Sequence, residues 1–163
     1  MPILNCPRFS ASLVVCTNQS VFCFGGLESD PEDPSRFNPL KSIERLFYEK
    51  EKAEWETLKI KLHFKGSGIG ALRLNSKSFI VFGGWNLKKL KASAFIYWNS
   101  DDEYFIEEGK DLAVPDSFIS TGLFSRDQSK KEILLFGQEH VHIYNFETEE
   151  FSALSADFDK NSK

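Results

Sequence analysis

The chain has 163 residues, 41% of them apolar, with 16 phenylalanines. That is enough for one packed domain and too apolar for wholesale disorder. Acids outnumber Lys and Arg by 24 to 20, a net charge of −4, which argues against a general nucleic-acid or anionic-membrane binder built on a basic surplus. No apolar run approaches the roughly 20 residues of a membrane-spanning helix.

Residues 1–7 read as a lead-in. They carry two prolines and no basic stretch before a long apolar one, so a signal peptide is not expected. The cysteines are Cys6, Cys16 and Cys23, an odd number without a CxxC pair. They read as reduced thiols in a cytoplasmic protein. Cys16 and Cys23 lie within apolar runs and read as small core residues. Asn18-Gln19-Ser20 reads as a turn, because a glycosylation acceptor is idle without export.

A first unit covers residues 8–62. Ser12–Thr17 and Val21–Phe24 predict a hairpin around Asn18-Gln19, followed by strands over Ile43–Glu49 and Trp55–Leu62. In the last of these Leu58, Ile60 and Leu62 alternate with Lys59 and Lys61, as in a strand with one wet face. Lys41–Leu62 also has helical composition, with Ile43, Leu46 and Phe47 at helical spacing. The strand reading prevails because Glu49 and Trp55 stand in register with later phrases. The connection Leu27–Lys41 is long and holds Pro31, Pro34 and Pro39 beside Glu28, Asp30, Glu32 and Asp33. Prolines stiffen such a loop and lower its ordering cost on binding, which makes it a functional candidate.

A second unit covers residues 66–113, with a hairpin predicted at Asn75-Ser76-Lys77. Its opening, Gly66-Ser67-Gly68-Ile69-Gly70-Ala71, fits the GxGxxA dinucleotide pattern. That pattern needs a helix to follow, and a strand and turn follow here, so the segment reads as a linker. The connection matching Leu27–Lys41 is basic and carries Trp85, Lys88, Lys89 and Lys91.

A third unit covers residues 117–155, with a longer turn at Arg126–Lys131, and residues 156–163 form a polar tail. His140 and His142 are two apart and share a face if they lie on a strand. The only other histidine is His63, so the pair reads as residues on a wet strand face, and no metal site is assigned. No Ser-His-Asp, paired-carboxylate or P-loop pattern stands out. Asp101-Asp102-Glu103 reads as solvated loop charge.

Two phrases recur through the units. Val21-Phe22-Cys23-Phe24-Gly25-Gly26 returns as Phe79-Ile80-Val81-Phe82-Gly83-Gly84, then as Ile133-Leu134-Leu135-Phe136-Gly137 with Gln138 as the next residue. Short apolar runs closed by glycine predict strands buried on both faces. Behind them, Tyr48-Glu49 leads to Trp55, Trp98-Asn99 to Phe105, and Tyr144-Asn145 to Phe151.

With these residues in register, the chain resembles the kelch-repeat β-propeller family over nearly its whole length. The resemblance implies an all-β fold of three four-stranded antiparallel blades, the third degenerate, in a ring this chain does not close alone. Gly25, Gly26, Trp55, Gly83, Gly84, Phe105, Gly137 and Phe151 would be its repeat motif, with each aromatic filling the wedge between blades. It also implies a non-catalytic scaffold that needs no cofactor and presents loops to a protein partner, with Trp85, Lys88, Lys89, Lys91, Asp30, Glu32 and Asp33 as the partner-binding residues. No nucleic acid and no membrane are expected as partners. The alternatives are a metal-dependent or other enzyme site at the centre of a completed propeller, and a non-functional gene fragment. Three blades leave two apolar blade faces open. A fragment of a longer protein is the favoured account, ahead of self-association or completion by another chain.

Overall fold

The computed structural model describes residues 2–16, 20–48, 53–99, 103–117 and 132–154. All regular structure among them is β, and every strand pairing is antiparallel. No helix among the described residues is long and apolar enough to cross a membrane.

The first sheet has the order β1 (Ser12–Val15), β2 (Ser20–Phe24), β5 (Ser42–Phe47), β6 (Trp55–Lys61). The helical composition of residues 41–62 is overridden by packing. Leu58 and Leu62 are buried while Lys59 and Lys61 are exposed, the alternation of a strand and not of a helix. The second sheet runs β7 (Gly70–Asn75), β8 (Ser78–Phe82), β9 (Ser93–Trp98), β10 (Tyr104–Glu108). The third has β11 (Glu132–Phe136), β12 (Val141–Asn145) and β13 (Glu150–Leu154). The turn expected at Arg126–Lys131 and the Asn18-Gln19 turn lie outside the described residues, as does the tail.

A fourth sheet was not expected. Leu27–Lys41 contains a two-stranded ribbon, β3 (Leu27–Ser29) with β4 (Phe37–Pro39). The prolines that read as loop stiffeners sit at its tip and strand end, where a missing N–H costs no ladder bond. Among the described residues, two four-stranded sheets, one of three strands and one ribbon therefore stand where three four-stranded sheets were expected, and residues 118–131 of the third unit lie outside them.

The three large sheets stack face to face, and period-two alternation decides which side chain goes where. Phe79 and Val81 point from β8 into a core shared with the first sheet, among Phe22, Phe24, Ile43 and Leu58. Ile80 and Phe82, one position on, point into a second core with Ile133, Leu135, Tyr144 and Phe151. Strand β8 is thus covered on both sides, which is why its sequence is a continuous apolar run. Phe22 anchors the first core through ring contacts with Phe79 at 4.7 Å and Trp98 at 5.5 Å.

Candidate functional site

The connections after β2, β8 and β11 leave the sheets at the same end, where the lead-in segments also cross. Leu27, Trp85 and Gln138 each donate a backbone N–H, at 2.8 Å, to the carbonyls of Phe9, Ser67 and Ser117 respectively. Gly25, Gly26, Gly83 and Gly84 all have positive φ. A Cβ on Gly26 would lie 2.9 Å from the Phe9 carbonyl, and one on Gly84 2.9 Å from that of Ser67. Glycine is needed there because the next crossing segment runs against the turn. At Gly137 the obstacle differs. A Cβ would meet Asp116 Oδ2 at 2.2 Å.

The residues expected to bind a partner all gather at this end, but they do different things. Trp85 is 43% exposed, and Lys88, Lys91 and Glu32 face solvent. Asp30 and Asp33 serve the ribbon tip: Asp30 Oδ1 accepts from Glu32 N, and Asp33 Oδ1 from Ser35 N and Oγ. Lys89 turns inward to Glu139 at 2.5 Å, with Asp116 at 3.8 Å. The sequence reading missed the apolar residues beside them. Phe9 and Phe37 form an edge-on pair at 5.0 Å, and Leu87 is 86% exposed at φ +62°. The two turns are tied together through the lead-in to the second sheet, where Gly68 N–H donates to the Ser10 carbonyl and Ser67 pairs with Trp85 through two backbone hydrogen bonds.

A buried polar cluster lies behind Lys89. Asp116 is fully buried in the segment leading to the third sheet. Its Oδ1 accepts from Ser117 N at 2.8 Å, and its Oδ2 from His140 N at 2.9 Å and Glu139 N at 3.3 Å. His140 Nδ1 and His142 Nε2 each stand 3.3 Å from the same Oδ2. Burial alone would raise the Asp116 carboxyl, but the Ser117, His140 and Glu139 N–H groups and His142 hold it below the ordinary value. Burial pulls His142 below its ordinary value, against the opposing pull of Asp116, so the ring is neutral near pH 7. The expectation of two histidines on a wet face is corrected here. His142 is fully buried and points between the second and third sheets, while His140 precedes β12. The strand-alternation rule could place His142 but could not say that another sheet covers that face.

The repeat aromatics divide as well. Phe151 is buried between the second and third sheets. Trp55 is half-buried on the face of the first sheet that, among the described residues, no other large sheet covers. Phe105 is 41% exposed and stacks on Tyr97 at 5.4 Å, with Ile106 in the place matching Trp55. A one-residue offset sends a strand side chain to the opposite face.

Clefts open at both sheet junctions. One of about 450 Å³ is lined by Arg45, Glu56, Leu58 and Tyr104, and one of about 430 Å³ by Leu74, Phe95, Tyr97 and Tyr144. All three cysteines are free thiols, with Cys16 and Cys23 buried as expected.

No family model matches the chain, and no curated protein does. Solved structures do match, among them "Structure of YjhT", with a TM-score of 0.64 and 10% identity over 94% of this chain and 53% of that one. The chain spans about half the length of that neighbour, and at this identity the likeness is one of fold.

Proposed function

We propose that the three large sheets are consecutive blades of a partial kelch-type β-propeller, and that the protein is a non-catalytic scaffold whose loop end binds another protein. The glycine-closed strands and the half-length match to YjhT support the architecture. The observation that carries the function is the apolar set at the loop end. Trp85 and Leu87 stand on a turn fixed by backbone hydrogen bonds after β8, and the Phe9–Phe37 pair belongs to the corresponding turn after β2. A leucine held at positive φ and left in water contributes little to a core. Exposed Trp on a rigid frame, with lysines in its own turn and acids in the ribbon of the turn after β2, suits a protein surface.

Selection of a displayed peptide library against the full chain tests this. Enriched peptides should lose about 30-fold or more in affinity for Trp85→Ala/Leu87→Ser, a hot-spot loss of about 2 kcal/mol. The melting temperature should hold, since neither side chain is in a core. Peptides that bind the variant equally well would refute the loop-end reading.

Further blades, from a longer chain or a second copy, would cover Leu13, Val15 and Phe136, exposed at 63%, 60% and 48% on the outer faces of the first and third sheets. A compact monomer by sedimentation, with no fall in accessible apolar surface at high concentration, would count against pairing of two copies.

A further inference from the structure

We infer that Asp116, His140 and His142 form a binding site for a divalent transition metal, with Zn²⁺ the ion that best fits the donors. One carboxylate oxygen and two ring nitrogens lie within 4.8 Å of one another. Both rings stand 3.3 Å from Asp116 Oδ2. Zn²⁺ takes nitrogen and oxygen ligands at about 2.0–2.1 Å, and tetrahedral geometry then sets neighbouring ligand atoms about 3.4 Å apart. Hydrogen bonds explain the spacing less well. A charge-assisted N–H···O⁻ bond is about 2.7–2.9 Å long. Oδ2 also accepts from the His140 and Glu139 N–H groups. Two N–H donors and two ring nitrogens therefore crowd an oxygen with about two lone pairs. An ion between the rings and Oδ2 replaces the two long contacts with three coordinate bonds.

The surroundings are arranged for it. Backbone N–H groups from Ser117, His140 and Glu139 fix the carboxylate, as outer-shell donors fix a metal ligand. Gly137 gives Asp116 its room, since any side chain there would strike Oδ2. The matching place in the first sheet is occupied by a protein cation, the Arg8 guanidinium on Glu44. In the third sheet the lysine that reaches Asp116 stands 3.8 Å from the other oxygen, Oδ1, and is already paired with Glu139. Two imidazoles and one carboxylate favour zinc over calcium or magnesium, which prefer all-oxygen sets. His140 is about one-third exposed, which leaves water a route to a fourth position. The ion fastens the segment after β10 to the third sheet.

The test is metal titration of the full chain after chelator treatment, with Zn²⁺ by calorimetry and Co²⁺ by its visible absorption. Stoichiometric Zn²⁺ binding, a four-coordinate Co²⁺ spectrum and a Zn²⁺-dependent rise in melting temperature are expected. His140→Ala removes a partly exposed turn residue, so its zinc-free melting temperature should stay near the parent's while its Zn²⁺ affinity falls by about 100-fold or more. His142→Ala should lose binding too. Lys89→Ala should keep or tighten it, because it removes a competing cation. Absence of stoichiometric binding, or affinity retained in both histidine variants, would overturn the site.

Discussion

In the first sheet, the segment leading into β1 meets the third strand through Arg8 and Glu44. In the third sheet, the residues in the same places are Asp116 and His142. The match follows from the hydrogen bonds. Arg8 and Asp116 immediately precede Phe9 and Ser117, whose carbonyls accept from the residue after each glycine turn. Glu44 pairs across the strands with Cys23, and His142 with Leu135, each one residue before its strand's last phenylalanine. In the second sheet the same places hold Gly66 and Ala94, with no charge at all. The crossing thus needs no polar contact in order to fold. The outer two sheets bury charge there and gain a specific clamp on the incoming segment, at a desolvation cost that Gly66 and Ala94 avoid.

The comparison breaks most sharply at Glu44. Both side chains of the Arg8–Glu44 pair are fully shielded. Glu44 also accepts from Asn5 N at 2.9 Å and Cys6 N at 3.1 Å, while Arg8 donates to the carbonyls of Gly25 and Ser42. Glu44→Ala should cost about 3–5 kcal/mol in denaturant unfolding, because Arg8 is left buried without its partner. Arg8→Met/Glu44→Leu, which imitates the uncharged second sheet, should recover most of that loss. If the double variant is as unstable as the single one, the pair contributes more than the clamp described here.

The repeat aromatics give the next contrast. Phe151→Ala should cost about 3–4 kcal/mol, since the ring is buried against Phe82 and Tyr144. Trp55→Ala should cost only about 1–2 kcal/mol, because among the described residues no large sheet covers its face and the side chain is half-buried. Equal losses would mean that something covers the first sheet's outer face in solution.

Much of this frame could be read from the residues. The apolar runs of Phe22, Phe79–Phe82 and Ile133–Leu135 announced strands with two covered faces, and β8 has both. Leu58, Ile60 and Leu62 announced the alternation of β6. The site was harder to see, because Asp116 sits 24 and 26 positions before its histidines, in a linker whose register only the glycine-turn hydrogen bonds define. The nearest signal was its place: Asp116 precedes Ser117 as Arg8 precedes Phe9. Phe105 misled because hairpin loops of unequal length slide a motif by one residue, and one residue changes the face. The β3–β4 ribbon was hidden by its prolines, which occupy only its tip and end.

Alkaline pH separates the first and third sheets by a smaller amount. Burial pushes the Cys23 thiol from 9.0 up to about 11, with Arg8 opposing and Glu44 adding to the rise. Burial raises Tyr144 from 10.0 to about 12. A folded-state pKa above the unfolded one means the folded chain holds the proton more tightly. The associated stability is whole below the unfolded pKa and fades as pH climbs through the folded one. Stability should therefore begin to fall above about pH 9, by about 2 kcal/mol near pH 11 from Cys23 and about 1 kcal/mol more from Tyr144. Cys23→Ala should remove the early part of that fall and leave the Tyr144 part, which begins near pH 10. An unchanged curve would mean that Cys23 ionises freely despite its burial.

The smallest effect expected comes from restoring the motif where the third sheet departs from it. Gln138 stands where Gly26 and Gly84 stand, yet it is not among the residues at positive φ. Its N–H still reaches the Ser117 carbonyl, and its Oε1 accepts from Ser117 Oγ at 2.9 Å. The turn after β11 is therefore built without the left-handed backbone that makes glycine necessary at Gly84. Gln138→Gly should lower stability by about 0.5–1 kcal/mol, through a freer unfolded chain and the lost contact with Ser117. A gain in stability would mean that the third turn is strained toward the conformation of the other two, and that Gln138 disturbs the clamp around Asp116.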